Sequence, residues 1–94
     1  PSEKSNAFYK DILKGVLDNQ ENIDEVIQKN LDRPIKQLDV IEKNALRIAL
    51  FELKIKELDS AIIINESIRM TKKYGSVEGY KLVNAVLDKI IKAS

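Results

Sequence analysis

The stretch DVIEKNALRIALFEL, residues 39–53, decides the fold because it predicts a helix with almost no polar face. Asp39 is suited to the N-cap position, and Glu42, three residues later, completes the pattern of a capping box. Apolar side chains then occupy nearly every direction around the helix: Ile41, Ala45, Leu46, Ile48, Ala49, Leu50, Phe51 and Leu53. A helix that is apolar on almost all sides is normally buried. We therefore predict that it is the central helix of a small all-helical domain.

Two charged residues, Arg47 and Glu52, lie inside this apolar helix. Burying a charge is costly unless it finds a partner. The two residues are five positions apart, so they do not share one helix face. We favour a buried hydrogen-bond network that fixes the helix register, in which Glu52 meets a polar group on the next helix, such as Asn65. Direct contact of Arg47 or Glu52 with a ligand is the alternative.

The composition excludes much ordinary enzyme chemistry. The 94 residues include no cysteine and no histidine, so thiolate nucleophiles, Cys-ligated zinc and imidazole catalysis are excluded. Three carboxylates, Glu52, Glu66 and Asp88, fall on three predicted helices, and a glycosidase-like pair is the only catalytic alternative. Gly75 and Gly79 lack the spacing and the lysine of a phosphate loop. We expect no catalytic activity, no metal site and no cofactor.

Charge and hydropathy point to a cytosolic protein. No apolar run approaches the roughly 20 residues that a membrane span needs, and PSEKSNAFYK has no secretory apolar core. The net charge is +1, but residues 1–53 carry eight basic and ten acidic side chains, whereas residues 54–94 carry eight basic and five acidic ones. The basic bias of the second half permits contact with nucleic acid without requiring it.

Periodicity predicts a compact bundle of four to five helices, all-α, in a single domain over residues 1–94. The first predicted helix runs from Glu3 to Leu17, and the second is capped by Asn22 with Glu25 and ends near Asn30. A short turn at Pro34 to Gln37 precedes the helix from Val40 to Ile55. The next helix includes Ala61 to Ile64 and ends at the C′ glycine Gly75, and the last helix is capped by Ser76. Ala61 to Ile64 alone is compatible with a buried strand, but no second strand exists to pair with it.

Lysines and aromatic residues alternate near the predicted turn between the last two helices. Lys72, Lys73 and Lys81 flank the segment between Tyr74 and Tyr80. Basic groups beside aromatic rings suit single-stranded RNA, whose bases stack and whose phosphates pair with lysine. The alternative is that these lysines are simply solvated at a helix end.

Three strings, IEKNALRIALFEL, IINESIRMTKKYG and KLVNAVLDKI, resemble the NusB family of bacterial transcription antitermination factors in order and spacing. FYKDILKGVLDNQENID is similar to the helix pair that precedes them in that family, so the resemblance covers about residues 8–89. The shared positions are Leu46-Arg47-Ile48-Ala49, Phe51-Glu52-Leu53, Asn65-Glu66, Val83-Asn84 and Leu87-Asp88.

The sequence departs from the family pattern in two places. Members usually have two further N-terminal helices, which open with an arginine-rich segment that grips RNA, so this chain resembles the C-terminal portion of such a protein. They also commonly carry Phe-Val-Asn-Gly near the last helix, where this chain has Leu82-Val83-Asn84-Ala85. That difference removes an aromatic ring where RNA contact is expected.

The resemblance implies a non-catalytic, helical protein that pairs with a small-subunit ribosomal protein and binds the boxA element of RNA within the RNA polymerase antitermination complex. It implies that the partner-binding surface includes Leu38, Asp39 and Glu42. The expected RNA-binding residues are Lys72, Lys73, Glu78, Lys81 and Leu82. Structural roles are expected for Arg47, Glu52, Asn65 and Asn84.

Two alternatives stay open. A NusB-like domain also forms the N-terminal part of some RNA 5-methylcytosine methyltransferases, although the chain ends in IIKAS just after the last motif, which favours a stand-alone factor. The other alternative is a self-associating helical module. Without the N-terminal helices, the stripe of Phe8, Ile12 and Val16 is expected to lose its packing partner and to drive homo-oligomer formation.

Overall fold

The computed structural model describes residues 3–56 and 58–93, and five α-helices account for most of them. In chain order these are α1 Glu3–Asp18, α2 Gln20–Lys29, α3 Val40–Ile55, α4 Ser60–Tyr74 and α5 Val77–Ala93. A 3₁₀ turn, Ile35–Gln37, joins α2 to α3. The described ranges contain no strand and no helix that is long and apolar enough to cross a membrane. The all-helical prediction is confirmed.

Helix α3 is the centre of the bundle, as its sequence predicts. It packs against each of the other four helices. Ala45, Leu46 and Ala49 are fully buried, and the two alanines let neighbouring helices approach closely. The main core cluster draws on α2 to α5 and on the segment before α3: Ile23, Ile27, Leu38, Ala45, Leu46, Ala49, Leu50, Ile63, Val83, Val86, Leu87 and Ile90.

Two predicted N-caps are confirmed by hydrogen bonds. The Asp39 carboxylate accepts from the backbone N–H of Glu42 at 2.8 Å. The Ser76 hydroxyl oxygen accepts from the backbone N–H of Gly79 at 3.0 Å. Each bond satisfies an N–H that has no partner inside the helix, so the starts of α3 and α5 are fixed.

The predicted cap of α2 is wrong. Helix α2 begins at Gln20, so Asn22 lies inside it and caps nothing. Asn19 precedes the helix, but its side-chain amide donates to the carbonyl oxygen of Gly15 at 2.8 Å. The asparagine therefore closes the end of α1 and leaves the start of α2 without a side-chain cap.

Gly75 ends α4 as predicted, but its backbone is extended (φ −115°, ψ −161°) rather than left-handed. Space explains the glycine, because a methyl group there would lie 2.8 Å from the carbonyl oxygen of Thr71 and 3.4 Å from Cγ2 of Ile41. A left-handed backbone occurs instead at Lys56, which ends α3 with φ 56° and ψ 34°.

Helix α1 contradicts the predicted bare stripe. Ile12 and Val16 are 5% and 7% exposed, so this chain already covers them. The side chain of Phe8 lies outside the described part of the structure. Among the described side chains of α1, Leu13 and Leu17 are the exposed large apolar ones, at 55% and 70%.

Candidate nucleic-acid interface

The turn between α4 and α5 collects most of the predicted RNA-binding residues. Lys72 and Lys73 lie in the last turn of α4, and Glu78 lies in the first turn of α5, with Lys81 in the next. All four side chains are exposed. Leu82 is half-buried and packs against the core, so only part of it is accessible.

Two tyrosine rings lie under lysine ammonium groups at this turn. Lys72 Nζ is 4.7 Å from the centroid of the Tyr80 ring, and Lys73 Nζ is 5.3 Å from that of Tyr74. Tyr74 is 63% exposed. At an exposed site such a cation–π contact contributes only about 0.5–1 kcal/mol, so a nucleobase is able to displace the ammonium group. The arrangement offers both ring faces for stacking and cations for phosphate.

The start of α3 adjoins this turn, a contact that the sequence prediction missed. A methyl group on Gly79 would lie 3.3 Å from Cγ of Glu42, and one on Gly75 would lie 3.4 Å from Cγ2 of Ile41. The two glycines are the only sequence signal of this close approach. The predicted partner-binding edge and the predicted RNA-binding turn are therefore parts of one continuous surface.

The accessible part of the partner-binding edge is acidic. Asp39 is exposed and Glu42 is half-buried. Burial raises the pKa of the Glu42 carboxyl above its usual value, and the neighbouring negative charge of Asp39 raises this pKa further. Leu38 is only 5% exposed and belongs to the core. Its expected place on the partner-binding surface is corrected to a packing role.

Arg47 has a partner that was not predicted. Its Nε and Nη2 atoms donate to the two carboxylate oxygens of Asp24, each at 2.9 Å. Asp24 lies on α2 between the buried Ile23 and Ile27, which places it beside α3. The expected structural role of Arg47 therefore rests on an ion pair between helices.

Glu52 does not form the predicted contact with Asn65. It lines a groove of about 540 Å³ between α3 and α4, together with Glu66, Arg69 and Lys73 among others. Among the described residues it has no hydrogen-bond or ion-pair partner. Burial raises the pKa of Glu52, and the nearby charge of Glu66 adds to the rise.

Asn65 and Asn84 also depart from their expected structural roles. Both side chains are exposed. Within the described ranges neither one has a side-chain hydrogen bond. An exposed amide on a helix surface is solvated by water, so neither asparagine joins the pair formed by Arg47 and Asp24.

The three carboxylates weighed for catalysis do not converge as a set. Glu52 and Glu66 share the α3–α4 groove, but Glu66 is ion-paired with Arg69 at 2.6 Å. Asp88 is ion-paired with Lys92 at 3.0 Å on α5. The described residues contain no group of three or more acidic side chains placed to hold a metal ion.

Comparison with known proteins gives one consistent family. Residues 1–92 match the model of the NusB family. The chain is 38% identical over 84 residues to the transcription antitermination protein NusB of Marinobacter nauticus, covering 88% of this chain and 53% of the relative. It is 40% identical over 86 residues to that of Pseudoalteromonas translucida, covering 90% of this chain and 63% of the relative.

Solved structures give the same fold. T. maritima NusB superposes with a TM-score of 0.92 at 30% identity, covering 97% of this chain and 66% of that one. A structure of the antitermination factors NusB and NusE in complex with double-stranded RNA also has a TM-score of 0.92, at 29% identity, covering 100% of this chain and 70% of that one. This chain thus spans little more than half to about two thirds of the length of these relatives. With its sequence matched from residue 1 to residue 92, the chain belongs to the NusB family.

Proposed function

We propose that this chain acts in transcription antitermination by binding boxA-type RNA together with a small-subunit ribosomal protein. The observation that carries the proposal is the match of the whole chain to a NusB structure in complex with NusE and RNA. The sequence relatives are named as transcription antitermination proteins, which describes a regulatory role rather than a reaction. Those names support a stand-alone, non-catalytic factor of the cytoplasm over a methyltransferase domain.

The proposed RNA contact is the α4–α5 turn. Lys72, Lys73 and Lys81 supply positive charge, and Tyr74 supplies an exposed ring. Phosphates would pair with the lysines while a base stacks on the ring. Glu78 and the accessible part of Leu82 would border this contact, because both lie within the first two turns of α5.

The proposed protein contact is the capped start of α3. Asp39 and the half-buried Glu42 give it negative charge, which suits a basic partner surface. The Glu42 side chain also lies close to the RNA-binding turn, since a methyl group on Gly79 would be 3.3 Å from Glu42 Cγ. A protein bound at Asp39 and Glu42 would therefore lie beside RNA bound at the turn, where direct contacts between the two ligands would couple their binding.

Fluorescence anisotropy with labelled RNA tests the proposal. A boxA-type RNA and a scrambled RNA of equal length and composition would be titrated with the chain, with and without the ribosomal protein. We expect tighter binding of the boxA-type RNA and a gain when the ribosomal protein is present. Because coupling between two ligands is reciprocal, RNA should raise the affinity for the ribosomal protein by the same factor. Equal binding of both RNAs with no gain from the protein would refute the proposal.

A further inference from the structure

A stripe of side chains on α4 leads from the α3–α4 groove to the α4–α5 turn. Glu66, Met70 and Tyr74 follow one another at intervals of four residues, so they lie on one face of α4. Ile48 and Glu52 have the same spacing on α3, and all five residues line the groove of about 540 Å³. A groove of this volume accommodates a small molecule or a single nucleobase. Because Tyr74 is the last residue of α4, the groove reaches the turn that is proposed to bind RNA.

Glu52 is the carboxylate of this groove that is available to a ligand. Glu66 is paired with Arg69 at 2.6 Å, and the ammonium group of Lys73 lies 5.3 Å from the centroid of the Tyr74 ring. Glu52 is half-buried and has no hydrogen-bond or ion-pair partner within the described ranges. A carboxylate that is partly shielded from water gains from hydrogen-bond donors that a ligand brings to it.

The groove combines apolar walls with a cationic rim. Ile48 and Met70 are half-buried and line it, so apolar surface of both side chains faces a ligand. Arg69 and Lys73 line it as well and are exposed. Apolar surface suits the face of a base, and cations suit the phosphate attached to it. The same cations repel a free amine or a basic peptide, so the groove favours a nucleotide over either of them.

The two oxygens of the Glu52 carboxylate discriminate between bases. An ionised carboxylate is an acceptor only. Guanine has two adjacent donors on its Watson–Crick edge, N1–H and the N2 amino group, whereas adenine, cytosine and uracil each place an acceptor beside their donor. We propose that the α3–α4 groove is a guanine-binding subsite, in which Glu52 accepts from N1–H and the N2 amino group of a guanine in single-stranded RNA. The faces of the base would lie against Ile48 and Met70, with a phosphate at Lys73.

This inference rests on the proposed RNA contact at the α4–α5 turn and deepens it. A strand that stacks one base on Tyr74 would pass the mouth of the groove, because Tyr74 lines both. Lysines that pair with phosphate position a strand but do not read its sequence. A carboxylate that meets a base edge supplies this reading, so Glu52 would determine specificity.

Fluorescence anisotropy with short labelled RNAs tests the inference. An oligouridine would be compared with oligouridines that carry one central guanosine, adenosine or inosine. We expect the guanosine strand to bind at least about fivefold more tightly than the adenosine strand. Inosine keeps N1–H but lacks the amino group, so its strand should have an intermediate affinity. Equal binding of the guanosine and adenosine strands would overturn the inference and leave the proposed phosphate contacts intact. No binding of any strand would overturn both.

Glu52→Gln tests the assigned residue. Glutamine presents one acceptor and one donor, which match the N6 amino group and N1 of adenine. The variant should therefore lose the preference for guanosine and favour adenosine, while its affinity for oligouridine stays unchanged. Glu66→Gln is the matched control, because Glu66 lines the same groove but is paired with Arg69. A guanosine preference that survives in Glu52→Gln, or that is lost in Glu66→Gln instead, would overturn the assignment.

Met70 reports whether the groove is occupied, independently of how tightly a whole strand binds. It is the one methionine of the sequence and lines the groove, so a ¹³C-labelled methyl group gives a single assigned NMR signal. Guanosine 5′-monophosphate should shift this signal through the ring current of the base, and Glu52→Gln should reduce the shift. Adenosine 5′-monophosphate should have a smaller effect on the parent chain. A response to 1,4-diaminobutane in place of the guanine nucleotide would overturn the inference in favour of an organic-cation site, and no response to either would overturn it as well.

Discussion

Arg47 and Asp24 join the central helix to α2 through two parallel hydrogen bonds of 2.9 Å each. The side chains are 19% and 25% exposed, so solvent screens the pair less than it screens a surface ion pair. Bidentate pairing of a guanidinium with a carboxylate also fixes the relative orientation of the two groups. The pair therefore sets how α2 is placed along α3.

Replacing Arg47 by alanine should destabilise the fold without selectively affecting RNA binding. We expect the free energy of unfolding to fall by about 1–3 kcal/mol, because the carboxylate of Asp24 loses two charge-assisted hydrogen bonds. Urea denaturation of Arg47→Ala, Asp24→Asn and the double variant would measure the coupling. If the two single losses simply add, the ion pair is not the cause.

Arg69→Ala is the matched control for Arg47→Ala. Arg69 also pairs with a carboxylate, Glu66, but the two side chains are 76% and 57% exposed. Its loss should cost less than about 0.5 kcal/mol, as expected for a surface pair within one helix. If Arg47→Ala and Arg69→Ala lowered the free energy of unfolding by similar amounts, burial would not be the reason that the Arg47–Asp24 pair stabilises the fold.

The helices were predictable because their signals are local. The apolar run of α3 and the caps at Asp39 and Ser76 depend on residues within four positions of one another. The cap of α2 failed although it is local, because Asn19 bonds backward to Gly15 and Asn22 lies within the helix. An asparagine side chain between two helices can bond backward to the end of the first or forward to the start of the second, and the sequence alone does not determine which.

The contacts between helices were not predictable in the same way. Asp24 and Arg47 are separated by the whole α2–α3 connection, and no periodicity identifies them as partners. The close approach of Glu42 to Gly79 depends on how α3 crosses the α4–α5 turn. The resemblance to the family supplied the partner-binding edge, and the lysine and tyrosine pattern together with that resemblance supplied the RNA-binding turn. The adjacency of the two required the structure.

Gly15 should be intolerant of any side chain. A methyl group there would overlap the ring of Phe51, where α1 crosses α3. We expect Gly15→Ala to destabilise the fold by about 1–3 kcal/mol through overpacking, despite the higher helix propensity of alanine. Thermal unfolding would show the loss, and adding Phe51→Leu should recover part of it. An unchanged melting temperature for Gly15→Ala would show that the Phe51 ring moves freely.

Glu52 should make stability depend on pH. Its pKa is raised in the folded chain, above about 4.3 for an unfolded glutamate. The folded chain therefore holds more protons between those two pKa values, so stability falls as the pH rises through that window. Glu52→Gln should unfold at a higher urea concentration than the parent at pH 7. The gain in the free energy of unfolding should be below about 1 kcal/mol, because the site is partly exposed.

The gain from Glu52→Gln should shrink as the pH falls below about 4, where the glutamate is neutral in both states. Glu78→Gln is a suitable control, since Glu78 is exposed in the first turn of α5. A gain at pH 7 that persisted unchanged in acid would show that charge is not its cause.

Lys81→Ala should weaken RNA binding and lower its dependence on salt. Each phosphate contact that is lost reduces the slope of log affinity against log salt concentration by about 0.7–1 unit. Anisotropy titrations at several salt concentrations would measure the slope. Lys92→Ala is the control, because Lys92 lies at the opposite end of α5 and pairs with Asp88. An unchanged slope for Lys81→Ala would argue against contact with phosphate.

Asp39 has two proposed roles, as the cap of α3 and as part of the partner-binding edge, and two substitutions separate them. Asp39→Ala removes the acceptor for the N–H of Glu42 and should cost about 1 kcal/mol of stability. Asp39→Asn keeps a good N-cap but removes the charge, so its stability should stay close to that of the parent. Calorimetric titration with the ribosomal protein then isolates the docking role. We expect Asp39→Asn to bind more weakly than the parent, with the difference declining at high salt. Parent-like affinity for Asp39→Asn would limit Asp39 to capping and leave Glu42 as the charged residue of that edge.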